Sequence, residues 1–217
     1  MSDATRQIDI DNFFSNVFTV FQDVVQYTFD GRTPIANVWN IIKYVNRLPQ
    51  NAKFEYKYDD MIRVLRNTTF DDESSWLANA SNRGWLWLTC QQLGFQQTTD
   101  LGRNIFGQIL PINYYMTTCR DAFNLSFAEQ IKRTTESRKK YADGKFKATN
   151  IVLPNGTFDP WSTLGIHESD EANNMIAIKI NGTSHCGDMY ESYVGEPETF
   201  APARAIIYDY VSRFIYN

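Results

Sequence analysis

The sequence predicts an α/β fold in which helices precede a parallel sheet. Two short apolar runs with strand character, residues 148–154 and 174–180, are each followed by a polar loop. A helical pattern then closes the chain over about 198–216. Because strands that alternate with helices usually pair in parallel, we expect both runs in one sheet.

Helical spacing dominates the first 80 residues. Apolar side chains recur at intervals of three and four over about 10–28, which predicts a long helix with a wide buried face. Asp9 and Asp11 are the candidates to cap its start. Further helices are predicted over Ile35–Val45 and over roughly 53–66.

A third strand is predicted between this helical segment and the two apolar runs. Trp85–Cys90 is apolar and lies between two glycines, which is typical of a strand buried on both faces. Helices are expected over about 104–123 and 126–141. Three strands make a thin sheet with unpaired edges, so the 217 residues are expected to be poorly soluble alone and to belong to a larger domain.

Composition argues against several classes of function. The formal net charge is −4 and the pI is about 5.2, which disfavours nucleic acid as a partner. No run approaches the roughly 20 apolar residues that cross a bilayer. The polar, acidic start of the chain is not that of a signal peptide. No set of His, Cys and Asp has metal-site spacing, so neither a metal nor another cofactor is expected.

Sequons and cysteines indicate an oxidising compartment. There are five Asn-x-Ser/Thr sequons, at Asn67, Asn79, Asn124, Asn155 and Asn181, which are candidate glycosylation sites. The three cysteines leave at least one without a partner in the chain. In an oxidising compartment Cys90–Cys119 is the preferred disulfide, because it would tie a strand to the next helix, and Cys186 would be left over. In a reducing cell all three would be buried thiols.

An acid and a base follow the last two predicted strands. Asp159 belongs to the motif Asn155-Gly-Thr-Phe-Asp-Pro-Trp161, and His185 belongs to Gly182-Thr-Ser-His-Cys186. Loops at the carboxyl ends of neighbouring parallel strands converge, so Asp159 and His185 are expected to meet. α/β-Hydrolases present the last two members of a Ser-Asp-His triad in this order. The nucleophile motif Gly-x-Ser-x-Gly, however, occurs nowhere in the 217 residues.

These motifs resemble the end of the lysosomal Pro-Xaa carboxypeptidase family, which includes dipeptidyl peptidase II and the thymus-specific serine protease. The resembling segments run from about residue 85 onward and include Trp87–Phe95, Arg103–Gly107 and Cys119–Phe123. The resemblance implies that residues 81–217 form the C-terminal half of an α/β-hydrolase domain and that residues 1–80 form a helical cap segment.

The resemblance also implies roles for individual residues. Asp159 would be the triad acid and His185 the base, while Trp161 would line a proline-accepting pocket and Phe95 would lie near another pocket position. Both aromatics could equally be ordinary core residues. Gln92 stands where the family has a glutamate, which leaves recognition of the substrate's charged end open.

The implied function is that of a serine exopeptidase, either a proline-specific carboxypeptidase or a dipeptidyl peptidase. Its partners would be peptides with proline near a terminus, its location lysosomal or secreted, and its assembly a homodimer. Without a nucleophile, the 217 residues alone are expected to be inactive. The alternative is a non-catalytic remnant that binds peptides or a partner. A lipase or an esterase is disfavoured by the proline-family motifs.

Overall fold

The computed structural model describes residues 6–27, 57–69, 73–103, 105–141, 145 and 147–216, and the side chains of 73–78 are not described. The helix predicted over Ile35–Val45 lies outside these residues. The chain divides into two compact units, Met1–Phe18 with Lys53–Asp143 and Thr19–Ala52 with Gly144–Asn217. Helix α1 (Gln7–Tyr27) contributes to both units. The assignment of residues 1–80 as a cap and 81–217 as a hydrolase part stays a prediction.

The first unit is helical. Besides the start of α1 it contains α2 (Tyr58–Arg66), α3 (Glu73–Leu88), α4 (Ile112–Phe123) and α5 (Phe127–Lys140). Its core is formed by Tyr58, Ile62, Leu110, Tyr114 and Ala122. Buried polar groups in this core are hydrogen-bonded, since the Tyr114 hydroxyl donates to Asn12 Oδ1 at 2.7 Å.

Helix α1 confirms the long helix predicted at the start of the chain but begins earlier than expected. It starts at Gln7, so both Asp9 and Asp11 lie inside it and the predicted cap is wrong. Asp9 instead accepts a hydrogen bond from the Tyr58 backbone N–H at 2.9 Å, across the core. Asp9 also pairs with Arg6 at 2.9 Å, so the acid links the start of α1 to α2.

The predicted strand Trp85–Cys90 is wrong. Helix α3 continues through Leu88 and ends in a π-helical turn, Thr89–Leu93, which Gly94 terminates with φ of +62°. Trp85 is 48% exposed and Trp87 40%, so this segment is not buried on both faces. An unbroken apolar run has neither the periodicity of a helix nor that of a strand. Here the run continues the helix formed by the preceding residues.

The other predicted helices of the first unit agree with the structure except at their starts. Helix α4 begins at Ile112 rather than near residue 104, because Pro111 in an extended conformation stands before it. Helix α5 begins at a capping box, in which Ser126 and Glu129 satisfy each other's backbone N–H groups. The predicted disulfide is present and joins Cys90 of the π turn, not of a strand, to Cys119 of α4.

The second unit contains the parallel sheet. Strand β1 (Ile151–Gly156) pairs in parallel with β2 (Met175–Ile180), as predicted, with Ile151 opposite Met175. Among the described residues this sheet has two strands, so the predicted third strand is absent from it. Helix α6 (Phe200–Tyr216) packs its buried Phe200 and Ala203 with Ile180. No described helix combines the length and hydrophobicity that a bilayer crossing requires.

Candidate active site

The structure brings Asp159 and His185 into direct contact. Asp159 lies in the Asp159 loop (residues 157–174, between β1 and β2), and His185 lies in the His185 loop (residues 181–199, between β2 and α6). His185 Nδ1 is 2.9 Å from Asp159 Oδ2. The Asp159 side chain is 12% exposed and that of His185 is 30% exposed. The acid is thus shielded while the imidazole keeps access to solvent.

Backbone hydrogen bonds join the two loops where they leave the sheet. Phe158 N–H donates to the carbonyl oxygen of Thr183 at 2.8 Å, and Gly182 N–H donates to Thr157 Oγ1 at 2.9 Å. Thr183 itself is 1% exposed. Because the partners flank the acid on one loop and the base on the other, these bonds set the spacing of the pair.

Gly156 permits this close approach. A Cβ atom at this position would lie 2.7 Å from the Thr183 carbonyl oxygen and 2.9 Å from that of Ser184. Both contacts are far shorter than van der Waals distance and involve backbone atoms, which have little freedom to move. Any other residue here would push the His185 loop away from the end of β1.

Asp159 is oriented by its own backbone turn. It is the N-cap of a short 3₁₀ helix, Pro160–Leu164, and its Oδ1 accepts a hydrogen bond from the Trp161 backbone N–H at 2.8 Å. Pro160 suits the first position of this turn because the missing N–H is not needed there. With Oδ1 engaged in the turn, Oδ2 faces His185.

The end of α1 supports the base within the second unit. The His185 backbone N–H donates to the carbonyl oxygen of Gln26 at 2.9 Å. The Trp161 indole N–H donates to Gln26 Oε1 at 3.0 Å. The rings of Tyr27 and Trp161 lie 6.1 Å and 6.4 Å from the imidazole, measured between centroids. Gln26 therefore contacts both His185 and Trp161.

Arg204 of α6 holds the remainder of the His185 loop. Its side chain is 22% exposed and pairs with Glu196 at 2.7 Å. The other acceptors of the guanidinium are the carbonyl oxygens of Asp188 and Tyr190 and the hydroxyl of Ser192. The guanidinium also lies 5.0 Å from the centroid of the buried Phe200 ring. One cation thereby fixes the irregular segment that follows the base.

A second carboxyl group lies near the pair. Burial raises the pKa of the Asp188 side chain, and the negative charge of Asp159 raises this pKa further, while Arg204 opposes both. Because the folded-state pKa is raised, the neutral form of Asp188 is favoured, and ionising it costs stability as the pH rises. Asp188 therefore keeps its proton to a higher pH than a free aspartate does.

The predicted pocket residue Phe95, the second histidine and the third cysteine have different environments. Phe95 belongs to the first unit, where it follows the π turn and is half-buried. His167 is exposed and its Nε2 lies 2.6 Å from the Ser162 carbonyl oxygen. Cys186, next to the base, is a half-buried thiol. No cluster of three metal-ligating side chains occurs within the described ranges.

The five sequons differ in their surroundings. Asn67, Asn124 and Asn181 are exposed, and Asn79 lies half-buried in α3. Asn155 Nδ2 donates to the carbonyl oxygens of Leu153 and Ile166, at 3.2 Å and 2.9 Å. A glycan at Asn155 would compete with these bonds, whereas glycosylation at the exposed sequons remains a prediction.

Sequence reasoning missed Gln26, Gly156 and Arg204. Gln26 and Arg204 lie in segments whose apolar pattern predicted helices, and their polar side chains carried no local signal. Gly156 was visible inside the Asp159 motif. That this position has no room for a side chain depends on Thr183, which is distant in sequence.

The sequence of the chain matches known proteins over most of its length. A profile of the family described as serine carboxypeptidase S28 matches residues 1–207. The chain belongs to this family. Its resemblance to the Pro-Xaa carboxypeptidase group, which includes the thymus-specific serine protease, is therefore confirmed. The chain is thus a homologue of S28 serine peptidases, which are enzymes of proteolysis.

Three relatives illustrate the extent of the similarity. The Caenorhabditis elegans protein named "Putative serine protease F56F10.1" is 34% identical over 239 residues, which is 97% of this chain and 44% of that protein. A second one, "Putative serine protease K12H4.7", is 26% identical over 208 residues, covering 82% and 39%. Mouse thymus-specific serine protease is 25% identical over 157 residues, covering 72% and 30%. The chain thus spans less than half the length of these S28 relatives.

Proposed function

We propose that this chain contributes the acid and the base of a serine exopeptidase active site. The observation that carries the proposal is the contact of His185 Nδ1 with Asp159 Oδ2 at 2.9 Å, between loops that follow two parallel strands. Membership of a serine peptidase family supports a hydrolytic role for the pair.

In the proposed mechanism His185 is the general base. Its Nδ1–H donates to Asp159, which leaves Nε2 to take the proton of a serine hydroxyl as the oxygen attacks the peptide carbonyl. Asp159 holds the tautomer and stabilises the imidazolium that forms, and the same proton then passes to the leaving amine. The bond from Trp161 N–H to Asp159 Oδ1 keeps the carboxylate in position during both transfers.

The proposed nucleophile is a serine outside the 217 residues. The motif Gly-x-Ser-x-Gly is absent from this sequence, and Ser184, next to the base, is 2% exposed. We therefore regard residues 81–217 as part of an α/β-hydrolase domain that further sequence would complete. In the completed enzyme Asp159 and His185 would meet that serine at the carboxyl edge of the sheet.

The proposed substrates are peptides with proline near one terminus. Trp161 supports this proposal because its rigid ring lies 6.4 Å from the imidazole ring, between centroids, and is half-buried. A flat aromatic wall suits the fixed pyrrolidine ring of proline. The disulfide and the sequons support a lysosomal or secreted location.

The experiment compares variants in a chain completed with its upstream sequence. Asp159→Asn and His185→Ala should each lower kcat on Xaa-Pro peptides by roughly a thousandfold or more. His167→Ala is the matched control, because it removes the chain's other histidine from an exposed loop, and it should retain activity. Wild-type rates in Asp159→Asn or His185→Ala would end the proposal.

The absent nucleophile motif favours one alternative, a non-catalytic protein that binds peptides or a partner. A fluorophosphonate probe separates the two functions, since it labels only an activated serine. We expect no labelling of the 217 residues alone and labelling of the completed chain at a Gly-x-Ser-x-Gly serine. A transcript that lacks this motif upstream in frame would instead support the non-catalytic alternative.

A further inference from the structure

Three arginines line one cavity of the first unit, which we name the arginine pocket. They are Arg66 at the end of α2, Arg83 in α3 and Arg133 in α5. The cavity has a volume of about 770 Å³, within the range of small-molecule sites. The mechanism proposed for Asp159 and His185 uses none of these residues, so the inference does not rest on that function.

Two of the guanidinium groups are positioned by backbone carbonyls. Arg66 Nε donates to the carbonyl oxygen of Asp121 at 2.6 Å. Arg83 Nη1 donates to the carbonyl oxygen of Leu65. A carbonyl orients a guanidinium without neutralising its charge. Each of these arginines carries five N–H donors, so most of them remain for a ligand.

The third guanidinium is positioned by an amide. Arg133 Nη1 donates to Oε1 of Gln91, which is 6% exposed and therefore a fixed point in the wall of the cavity. Gln91 is also neutral. All three cations are thus preorganised by uncharged acceptors, as in sites that bind anions rather than in structural ion pairs.

The two acidic side chains in the wall make their hydrogen bonds to other partners, and they also interact electrostatically with Arg66 and Arg133. Asp121 accepts hydrogen bonds from Arg120 Nε at 2.7 Å and from the Tyr58 hydroxyl at 3.0 Å. Glu129 is held in the capping box of α5, where Ser126 N–H and Oγ–H donate to it at 2.9 Å and 2.7 Å. With three arginines against two carboxylates in its wall, the arginine pocket keeps a net positive charge for an incoming group.

Aromatic rings add an apolar wall to the same cavity. The Arg83 guanidinium lies 4.9 Å from the ring centroid of Phe123, and the indole of Trp87 is 40% exposed. We propose that the arginine pocket binds a small organic anion. Its carboxylate or phosphate oxygens contact the guanidinium groups, and its apolar body lies on Trp87. Carboxylates and phosphates share this oxyanion chemistry, and the experiment distinguishes them.

Calorimetric titration of the full 217-residue chain tests the proposal. The probes are phenyl phosphate and benzoate, with benzamide as a neutral control, all at constant ionic strength. We expect saturable binding of at least one anion below about 5 mM and none of benzamide. The ratio of the two anion affinities identifies the preferred oxyanion.

Matched variants locate the binding. Arg133→Gln should weaken the bound anion roughly tenfold, because one charge-assisted contact is lost. Arg63→Gln removes the same charge one turn from Arg66, from an exposed pair with Asp60, and should leave the affinity unchanged. Arg133→Lys keeps the charge without the planar fork and should fall between these two, which covers the case in which Arg133→Gln does not fold.

Three results would overturn the inference. The first is titration without saturation by either anion, and the second is equal binding of benzamide. The third is an equal loss of affinity in Arg63→Gln and Arg133→Gln, because that would show an effect of net charge alone. Thermal unfolding of each variant, recorded beside the titrations, establishes that the compared proteins are folded.

Discussion

Single residues in the second unit position the Asp159–His185 pair in two ways, by forming hydrogen bonds or by lacking a side chain. Asp159 uses one oxygen for its own turn and the other for His185, so its orientation is decided locally and its partner is distant. Gly156 donates no side-chain bond, yet the approach of the two loops depends on its missing Cβ.

Gly156→Ala should therefore destabilise the protein and separate Asp159 from His185. The new Cβ would lie 2.7 Å from the Thr183 carbonyl oxygen, and overpacking of this kind costs about 1–3 kcal/mol. Chemical denaturation measures the loss. Gly84→Ala is the control, because nothing lies within 4 Å of a Cβ there and alanine favours its helix by about 1 kcal/mol. Equal stability of both variants would contradict the close approach.

Asp9→Asn should alter how stability depends on pH. Hydrogen bonds from Arg6 and from the Tyr58 backbone N–H lower the pKa of Asp9 from 3.8 to about 2. A lowered folded-state pKa contributes stability above pH 3.8 that is lost as the pH falls through about 2. The variant should be less stable at pH 7 and should lose less stability between pH 4 and 2, measured by urea unfolding.

The control for Asp9→Asn is Asp60→Asn, which removes a carboxylate from an exposed pair with Arg63. Solvent screens such a pair, so its loss should change the free energy of unfolding by less than about 1 kcal/mol. A wild-type pH dependence in Asp9→Asn would show that Asp9 does not carry the effect.

At the scale of elements, an irregular loop is made rigid by the helix that follows it. The His185 loop contains only a short 3₁₀ turn, Gly187–Met189. Because this loop has little regular hydrogen bonding, Arg204 of α6 orders it through side-chain hydrogen bonds. The acceptors lie in Asp188, Tyr190, Ser192 and Glu196. The position of the base therefore depends on a residue of the next element.

Arg204→Gln should loosen the His185 loop. It removes a largely buried cation and leaves Glu196 without this partner, which we expect to cost about 2–3 kcal/mol. Hydrogen exchange should speed up in residues 186–196. Arg213→Gln, in the same helix, breaks a pair whose side chains are 60% and 55% exposed and should change little. Unchanged exchange in Arg204→Gln would show that the loop is held by other contacts.

The conformation of Trp85–Cys90 likewise depends on the element that it continues. Its six residues satisfy the composition of a buried strand, and only their continuity with α3 makes them helical. The exposed Trp87 then lines the arginine pocket instead of belonging to a sheet. Local composition did not distinguish the two outcomes because the run has no periodicity.

At the scale of the whole molecule, many large apolar side chains are exposed to solvent. On α6 they include Ile206, Tyr208, Val211 and Ile215, which are 40% to 76% exposed. Among the described residues the sheet has two strands, and such a sheet leaves unpaired backbone groups at its edges. Both features favour association of the 217-residue chain.

We expect this chain to bind a hydrophobic dye and to associate as its concentration rises, measured by light scattering. Val211→Lys with Ile215→Lys should reduce both signals by placing charges on the exposed face of α6. Val194→Lys, at a fully exposed loop position, is the control and should reduce them less. A monodisperse wild-type monomer that melts cooperatively would contradict the expectation.

Local sequence patterns predicted the long first helix, the parallel pairing of two strands and the loops that carry Asp159 and His185. Periodicity and turn residues report these features because they depend on neighbours in the chain. The helical state of Trp85–Cys90 follows from its continuity with α3, which its own composition does not show. The need for Gly156, the contacts of Arg204 with the His185 loop and the convergence of three arginines became visible only in the tertiary structure. Each of these depends on contacts between segments far apart in sequence, which no local pattern encodes.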